Sequence, residues 1–182
     1  YNCARGVMIG GGRDNVVDNN IFIGCKPAVH VDSRGLGWAK YYFNGTTNTL
    51  FDRMDAMQYK VPPYAQKYPV LLSLYDDEPA VAKYNRITHN ISYLGRWIDL
   101  HDGLDLKTVL SRDNIIAKSE KEFKNAGDYI IDENPGIDNY NTGDFRLQPK
   151  ALRYGFKAIP YHKIGLQKDK FRKNPSKTFN TK

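Results

Sequence analysis

The stretch Gly24 to Trp38, GCKPAVHVDSRGLGW, sets an imidazole, a carboxylate and a guanidinium at alternate positions, His30, Asp32 and Arg34, with Val29 and Val31 between them. In a strand the period of two puts the three polar groups on one face and the valines on the other. A related segment, Ile98, Asp99, Leu100, His101 and Asp102, offers two more carboxylates and a second imidazole. Cleaving a glycosidic bond needs this kind of set: one carboxyl gives a proton to the leaving oxygen while another acts as base or nucleophile. Asp32 and Asp99 are the expected catalytic pair, with Asp102 the substitute for either. His30 and His101 are expected to bind sugar hydroxyls or tune the carboxylates, and Arg34 to hold an acidic or hydroxyl group of the substrate.

A repeat brings the two segments together. Laying Asn2–Gly11 over Gly24–Ser33 at a spacing of 22 matches Cys3 with Cys25, Val7 with Val29 and Ile9 with Val31. A third copy, Asn85–Gly103, matches Ile87 with Val17, Asn90 with Asn20 and Ile91 with Ile21, and after a one-residue deletion lays Ile98, Asp99, Leu100 and His101 over Val29, His30, Val31 and Asp32. A weaker fourth copy is Ser111–Ala117. Short alternating strands with a period in the low twenties predict an all-β parallel solenoid, whose successive turns stack about 4.8 Å apart. Like residues then form ladders: apolar ones inward, and an amide ladder of Asn20, Asn90 and Asn114 at the bend. Outward, one column stacks Met8, His30 and Asp99, and the next stacks Gly10, Asp32 and His101. Asp32 and Asp99 become diagonal neighbours roughly 8 Å apart at Cα, inside the ~6.5–9.5 Å carboxyl range of inverting enzymes, with retaining geometry within reach of side-chain lean. Gly10, Gly11 and Gly12 leave room above the cluster. Stacking also puts Cys3 beside Cys25, as a disulfide or as two stacked buried thiols.

A plainer reading competes, since an outward strand face is polar anyway and His30 over Asp99, or Asp32 over His101, make ordinary cross-strand pairs. Trp38 and Trp97, the two tryptophans, flank the same coils, where their faces can stack on sugar rings or simply pack. Imidazole and carboxylate are also metal ligands, but no tight ligand spacing appears along the chain, so no metal is expected. Lyase chemistry would cast Arg34, Lys26 or Lys40 as the base. His89 overlays Asn19 and reads as a bend residue; His162 has no acidic neighbour in sequence. The glycine run in GVMIGGGRDN is not followed by the Lys-Ser/Thr of a phosphate loop, and no cofactor is expected.

Ala39 to Tyr84 interrupts the repeat. Leu50, Phe51, Met54 and Met57 recur at helical spacing after Asn48 and Thr49, Pro62 and Pro63 end that segment, and a second short helix is readable in YAQKYPVLLSLYDDEPA. This helical insertion, at 39–84, follows the His30–Arg34 strand and is expected to fold over or beside it. Residues 118–182 are expected to form an irregular cap over the last coil, ending in a basic tail.

The net charge of +7 is concentrated: Lys163 to Lys182 carries seven basic residues against one acidic, leaving +1 for the rest. That distribution argues for a solvated basic end rather than a nucleic-acid partner. No apolar run is long enough to span a bilayer, and YNCARGVMIGGG lacks the layout of a signal peptide. Thirteen tyrosines suit a polar partner such as a sugar, or ordinary packing. The chain reads as one β-helix domain, 1–182, monomeric, and starting within a repeat, which points to missing upstream coils.

In order, GGGRDNVVDNNIF, AVHVDSRGLGWA, VPPYAQKYPVLLSLYDDEPA, GDFRL and GFKAIPYHKIGL resemble the C-terminal part of bacterial right-handed parallel β-helix proteins, from about Gly10 to Leu166. Those proteins are secreted and associated with polysaccharide degradation, and some resemble glycoside hydrolase family 141, which includes an α-L-fucosidase and a xylanase. The resemblance implies a right-handed helix, a secreted, periplasmic or surface location, and a polysaccharide or oligosaccharide substrate. Two further readings of the same face stay open: a non-catalytic glycan-binding or surface-interaction solenoid, and a polysaccharide lyase.

Overall fold

A computed structural model describes residues 1–120, 127–164, 166 and 168–173. Among these residues ten short strands follow one another: β1 (Val7–Gly10), β2 (Val16–Asp18), β3 (Ile21–Ile23), β4 (Val29–Asp32), β5 (Asn85–Thr88), β6 (Ile91–Gly95), β7 (Ile98–His101), β8 (Val109–Arg112), β9 (Ile115–Ser119) and β10 (Tyr129–Ile131). They form three parallel sheets, β1-β4-β7, β2-β5-β8 and β3-β6-β9-β10. From β1 to β9 the chain visits the sheets in rotation, so each coil stacks on the one before, and β10 adds to the third sheet beside β9, a mostly-β, solenoid-like arrangement. The register is the one that the repeat predicts: Val29 lies between Val7 and Ile98, His30 between Met8 and Asp99, Val31 between Ile9 and Leu100, and Asp32 between Gly10 and His101.

The bends explain why so few residues suffice per coil. Asn19, His89 and Asp113 all take the left-handed conformation, at φ 58°, 51° and 59°, a region where Asn and Asp are tolerated because their short side chains bond locally. Each is followed by a ladder asparagine. The Asn20 backbone N–H and Nδ2 both donate to Asn90 Oδ1 at 3.0 Å, and those of Asn90 both donate to Asn114 Oδ1 at 2.9 Å. The ladder does not stop there, because Asn114 donates in the same way to Asp128. A second, shorter rung joins Asn15 to Asn85 at the neighbouring corner.

Between the sheets lies a core of Ile9, Val17, Phe22, Val29, Val31, Ile87, Ile98, Val109 and Ile116. Cys25 is buried and Cys3 exposed, and both are free thiols. The third sheet is apolar on its outer side as well. Ile23, Ile91, Tyr93, Ile115 and Ala117 pack there against Ile137, Ala151 and Phe156. The C-terminal segment was expected over the last coil, but its described part runs back along this flank. It reaches the first coil, where Asn19 and Lys157 exchange two hydrogen bonds and Tyr1 meets Tyr140 and Phe145. The apolar outer face of a sheet requires such a cover, whichever end of the coil stack it starts from. The basic tail beyond Lys173 lies outside the described residues.

The insertion leaves after β4 at the corner between the first and second sheets and returns at β5. It holds α1 (Thr49–Ala56), α2 (Tyr64–Lys67) and a 3-10 segment, Pro69–Asp76. Its own small core is aromatic: Phe51 meets Phe43 and Tyr75 edge-on, and Tyr59 is almost wholly buried against Tyr75. Its root is pinned twice. The Ala82 N–H donates to Ser33 Oγ at 3.1 Å, and Asp77 accepts from Arg13, Lys83 and Tyr84 at 2.6, 2.6 and 2.8 Å. Among the described residues no helix is long and apolar enough to cross a membrane.

Candidate functional site

The outer face of β1-β4-β7 gathers the residues singled out in the sequence, but it binds them along the strands more than across them. Asp32 is 8% exposed. Its two oxygens accept from Arg34 Nε at 3.0 Å and Nη2 at 3.1 Å, and His30 Nε2 lies 3.4 Å from Oδ2. Burial pushes the Asp32 carboxyl up, yet the bonds and charge of Arg34, aided by His30, outweigh it and hold the group below the ordinary carboxylate value. Asp32 is therefore a fixed anion, unsuited to giving up a proton as a general acid.

The glycines that promised room do not leave it. A Cβ on Gly10 would stand 1.9 Å from Arg34 Nη2, and one on Gly11 2.8 Å from Arg34 Cγ. Arg34 thus occupies the slot above Gly10 and closes over Asp32, while Asn15 fills the space at Gly12. The two glycines are what let the guanidinium reach back along its own strand.

His30 is buried and its ring stacks on that of His101, with centroids 4.5 Å apart and planes 29° from parallel. Asp99, partly exposed, accepts from Arg96 Nη2 at 2.7 Å. The pairings expected across the strands, His30 with Asp99 and Asp32 with His101, hold as neighbours in register, but the closest ion pairs run Arg34 to Asp32 and Arg96 to Asp99. Asp102 makes no hydrogen bond to the cluster among the described residues, but its charge, after that of Asp32, helps to raise the Arg34 value. It takes the left-handed conformation at φ 58°, and its carboxylate packs so closely on Gly37 that a Cβ there would meet it at 2.4 Å.

The two tryptophans part company. Trp38 is 69% exposed with Arg34 5.8 Å above its ring, an open aromatic platform beside the cluster. Trp97, expected as a second platform, is 1% exposed within the solenoid core, because its position just before β7 turns the ring inward. Its Nε1 finds no hydrogen-bond partner among the described residues.

Two cavities adjoin these elements. A groove of about 530 Å³ opens over the third coil and is lined by Arg96, Ile98, Asp99, Leu100, His101 and Glu120. Arg96 and Glu120 escaped the sequence reading. Arg96 is detectable as the residue three before Asp99, whereas Glu120 reaches the groove through stacking alone, its N–H bonded to Gly95 O at 2.7 Å. A larger cavity of about 810 Å³ separates the insertion from the second sheet, between Val70, Leu74 and Asp77 on one side and Arg86, Lys107 and Leu110 on the other.

No family model, curated protein or solved structure matches this chain. Its function must be read from the groove itself. Of the cations that lyase chemistry could use as a base, Arg34 holds Asp32 and Lys26 pairs with Glu120, while Lys40 is exposed in a 3-10 turn. His89 is a bend residue bonded to Asp18 at 2.9 Å. The His162 side chain lies outside the described residues.

Proposed function

We propose that this chain is the right-handed parallel β-helix of a polysaccharide-degrading glycoside hydrolase, acting on an oligosaccharide or polysaccharide outside the cytoplasm. The hand follows from the general preference of parallel crossover connections. The observation that carries the activity is the groove lined by two acidic residues, Asp99 and Glu120, together with Arg96 and His101. Hydrolysis needs two carboxyl groups facing one cleft. Asp99, paired with Arg96, and Glu120, half-exposed and paired with Lys26, share the two roles of proton donor and of base or nucleophile. His101 and the Trp38 ring bind sugar hydroxyls and a sugar face. Asp32 and Arg34 support the site without touching the bond that breaks.

The test is turnover on a panel of plant and host glycans. Asp99→Asn and Glu120→Gln are each expected to lower kcat by about 10²-fold or more, and full activity in both variants overturns the assignment. A second reading, a non-catalytic glycan-binding solenoid, is favoured by the clamp of Arg34 on Asp32 and by the exposed Trp38. It predicts saturable glycan binding that Trp38→Ala abolishes, with no product formed at any enzyme concentration.

A further inference from the structure

We propose that His30, Asp99 and His101 form a binding site for a single divalent transition-metal ion of the zinc class, at the inner wall of the groove. One ligand atom from each of the three lies within 4.8 Å of those of the other two. Two imidazole nitrogens and one carboxylate oxygen are the donor set that zinc and its neighbours prefer, whereas calcium and magnesium take oxygen.

The solenoid brings these groups together although they are far apart in sequence. Register sets Asp99 directly beside His30 and His101 beside Asp32, so the two imidazoles become diagonal neighbours and stack nearly parallel. A tetrahedral ion with bonds of about 2.1 Å needs ligand atoms about 3.4 Å apart. Rotation of His101, which is exposed, closes the remaining distance, while buried His30 stays where packing holds it.

What separates this cluster from a chance gathering of polar groups is the support behind two of its three ligands, His30 and Asp99. His30 Nε2 lies 3.4 Å from Asp32, and Asp32 is itself held at two points by Arg34. This carboxylate fixes the ring and leaves Nδ1 for the ion, the way that metal-bound histidines are ordinarily oriented. Asp99 is held through Oδ2 by Arg96, which leaves Oδ1. The alternation of His30, Asp32 and Arg34 thereby acquires a division of labour: ligand, orienting carboxylate, and clamp. With three protein ligands, the fourth position faces the groove that Asp99 and His101 line.

Binding does not depend on the hydrolase reading and is measured without any glycan. Where Asp99 does perform acid–base work, an ion on it removes it from that work, so zinc lowers turnover and a chelator restores it.

The experiment is calorimetric titration of the apo protein with Zn2+, and with Co2+ while the visible d–d band is followed. Cys3→Ser serves as background so that the exposed thiol does not compete. One equivalent is expected to bind, with the Co2+ band of a four- or five-coordinate nitrogen–oxygen site. His101→Ala and Asp99→Asn, both at positions that leave the core untouched, are expected to weaken binding by about 100-fold or more, and Asp32→Asn, acting through His30, by about 10- to 100-fold. No binding to the folded protein overturns the proposal. So does one equivalent held as tightly by His101→Ala and Asp99→Asn as by the parent, since the ion then sits elsewhere.

Discussion

Arg34 folds back across Gly10 and grips Asp32 at two points, 3.0 Å from Nε to Oδ1 and 3.1 Å from Nη2 to Oδ2. A methyl group at position 10 would stand 1.9 Å from Nη2 and 2.3 Å from Cζ, so the guanidinium must leave. Gly10→Ala is therefore expected to cost about 1–2 kcal/mol, the scale of a charge-assisted bond that is partly open to solvent. In urea titrations Gly10→Ala and Arg34→Ala should each lower stability, and the double variant should lose little more than either alone. Additive losses would show that Gly10 acts by some route other than Arg34.

The asparagine ladder predicts a gradient. Asn90 is wholly buried; its Oδ1 accepts from Asn20, and its Nδ2 donates to Val17 O, Thr88 O and Asn114. Asn90→Ala strands several of these groups at once and is expected to cost about 2–4 kcal/mol. Asn20, at the open end of the ladder, loses bonds whose partners reach water, so Asn20→Ala is expected to cost about 1 kcal/mol. Chemical denaturation of the two variants checks the order; equal losses would mean that the ladder carries no depth-dependent load.

The coil register was legible in the sequence because stacking repeats a chemical type at each rung. Val29 over Val7, Ile98 over Val29 and Asn114 over Asn90 are matches of kind, and the hydrogen-bond ladder at the bend follows from them. The outer face was legible only as an address. Sequence could set His30 beside Asp99, but not show that Arg34 turns back through the space left by Gly10 and Gly11, because that depends on a side-chain path and not on register. Trp97 went to the core for a similar reason: it lies at a corner, where the period of two that sorts inward from outward no longer applies. Glu120 had no partner of its own kind in the other coils, and only the third dimension brought it to the groove. The C-terminal segment looked like an end cover because its irregular sequence begins after the last repeat, yet the apolar outer residues of β3, β6 and β9 had already called for a flank.

Acid should loosen the insertion through Asp77. Hydrogen bonds from Lys83 and Tyr84, with Arg13 adding its charge, hold the Asp77 carboxyl below its ordinary value of 3.8. A carboxyl whose value is lower in the folded chain binds protons more readily when unfolded. Its contribution to stability is complete above the ordinary value and is lost as the pH falls through the folded one. Near-UV circular dichroism of the pair formed by buried Tyr59 and partly buried Tyr75 reports the insertion core, and its signal is expected to fall in that acid range. Asp77→Asn should show a weakened insertion already at neutral pH and lack this acid step; an unchanged acid profile would sink the assignment.

The C-terminal segment carries the last prediction, because it covers an apolar face that the third sheet cannot leave bare. Phe156 is buried against the outer side of the third sheet, beside Ile137 and Ala151, and the next residue, Lys157, is fastened to the first coil by two bonds with Asn19, of 2.6 and 3.0 Å. Phe156→Ala removes a large ring from a site bounded by a rigid sheet, where collapse is restricted, and is expected to cost about 3–5 kcal/mol. Asn19→Ala, which cuts the fastening and leaves the ring in place, is expected to cost about 1 kcal/mol. Ending the chain after Ile131 is more drastic, since it uncovers Ile23, Ile91, Tyr93 and Ile115 together, a continuous apolar face of the kind that drives association. The truncated chain is expected to elute as aggregate in size-exclusion chromatography under conditions where the Phe156→Ala variant still elutes at the volume of the parent. A truncated chain that elutes without aggregate and retains the parent's stability would show that the segment is an appendage, and that the apolar outer face of the third sheet needs no cover.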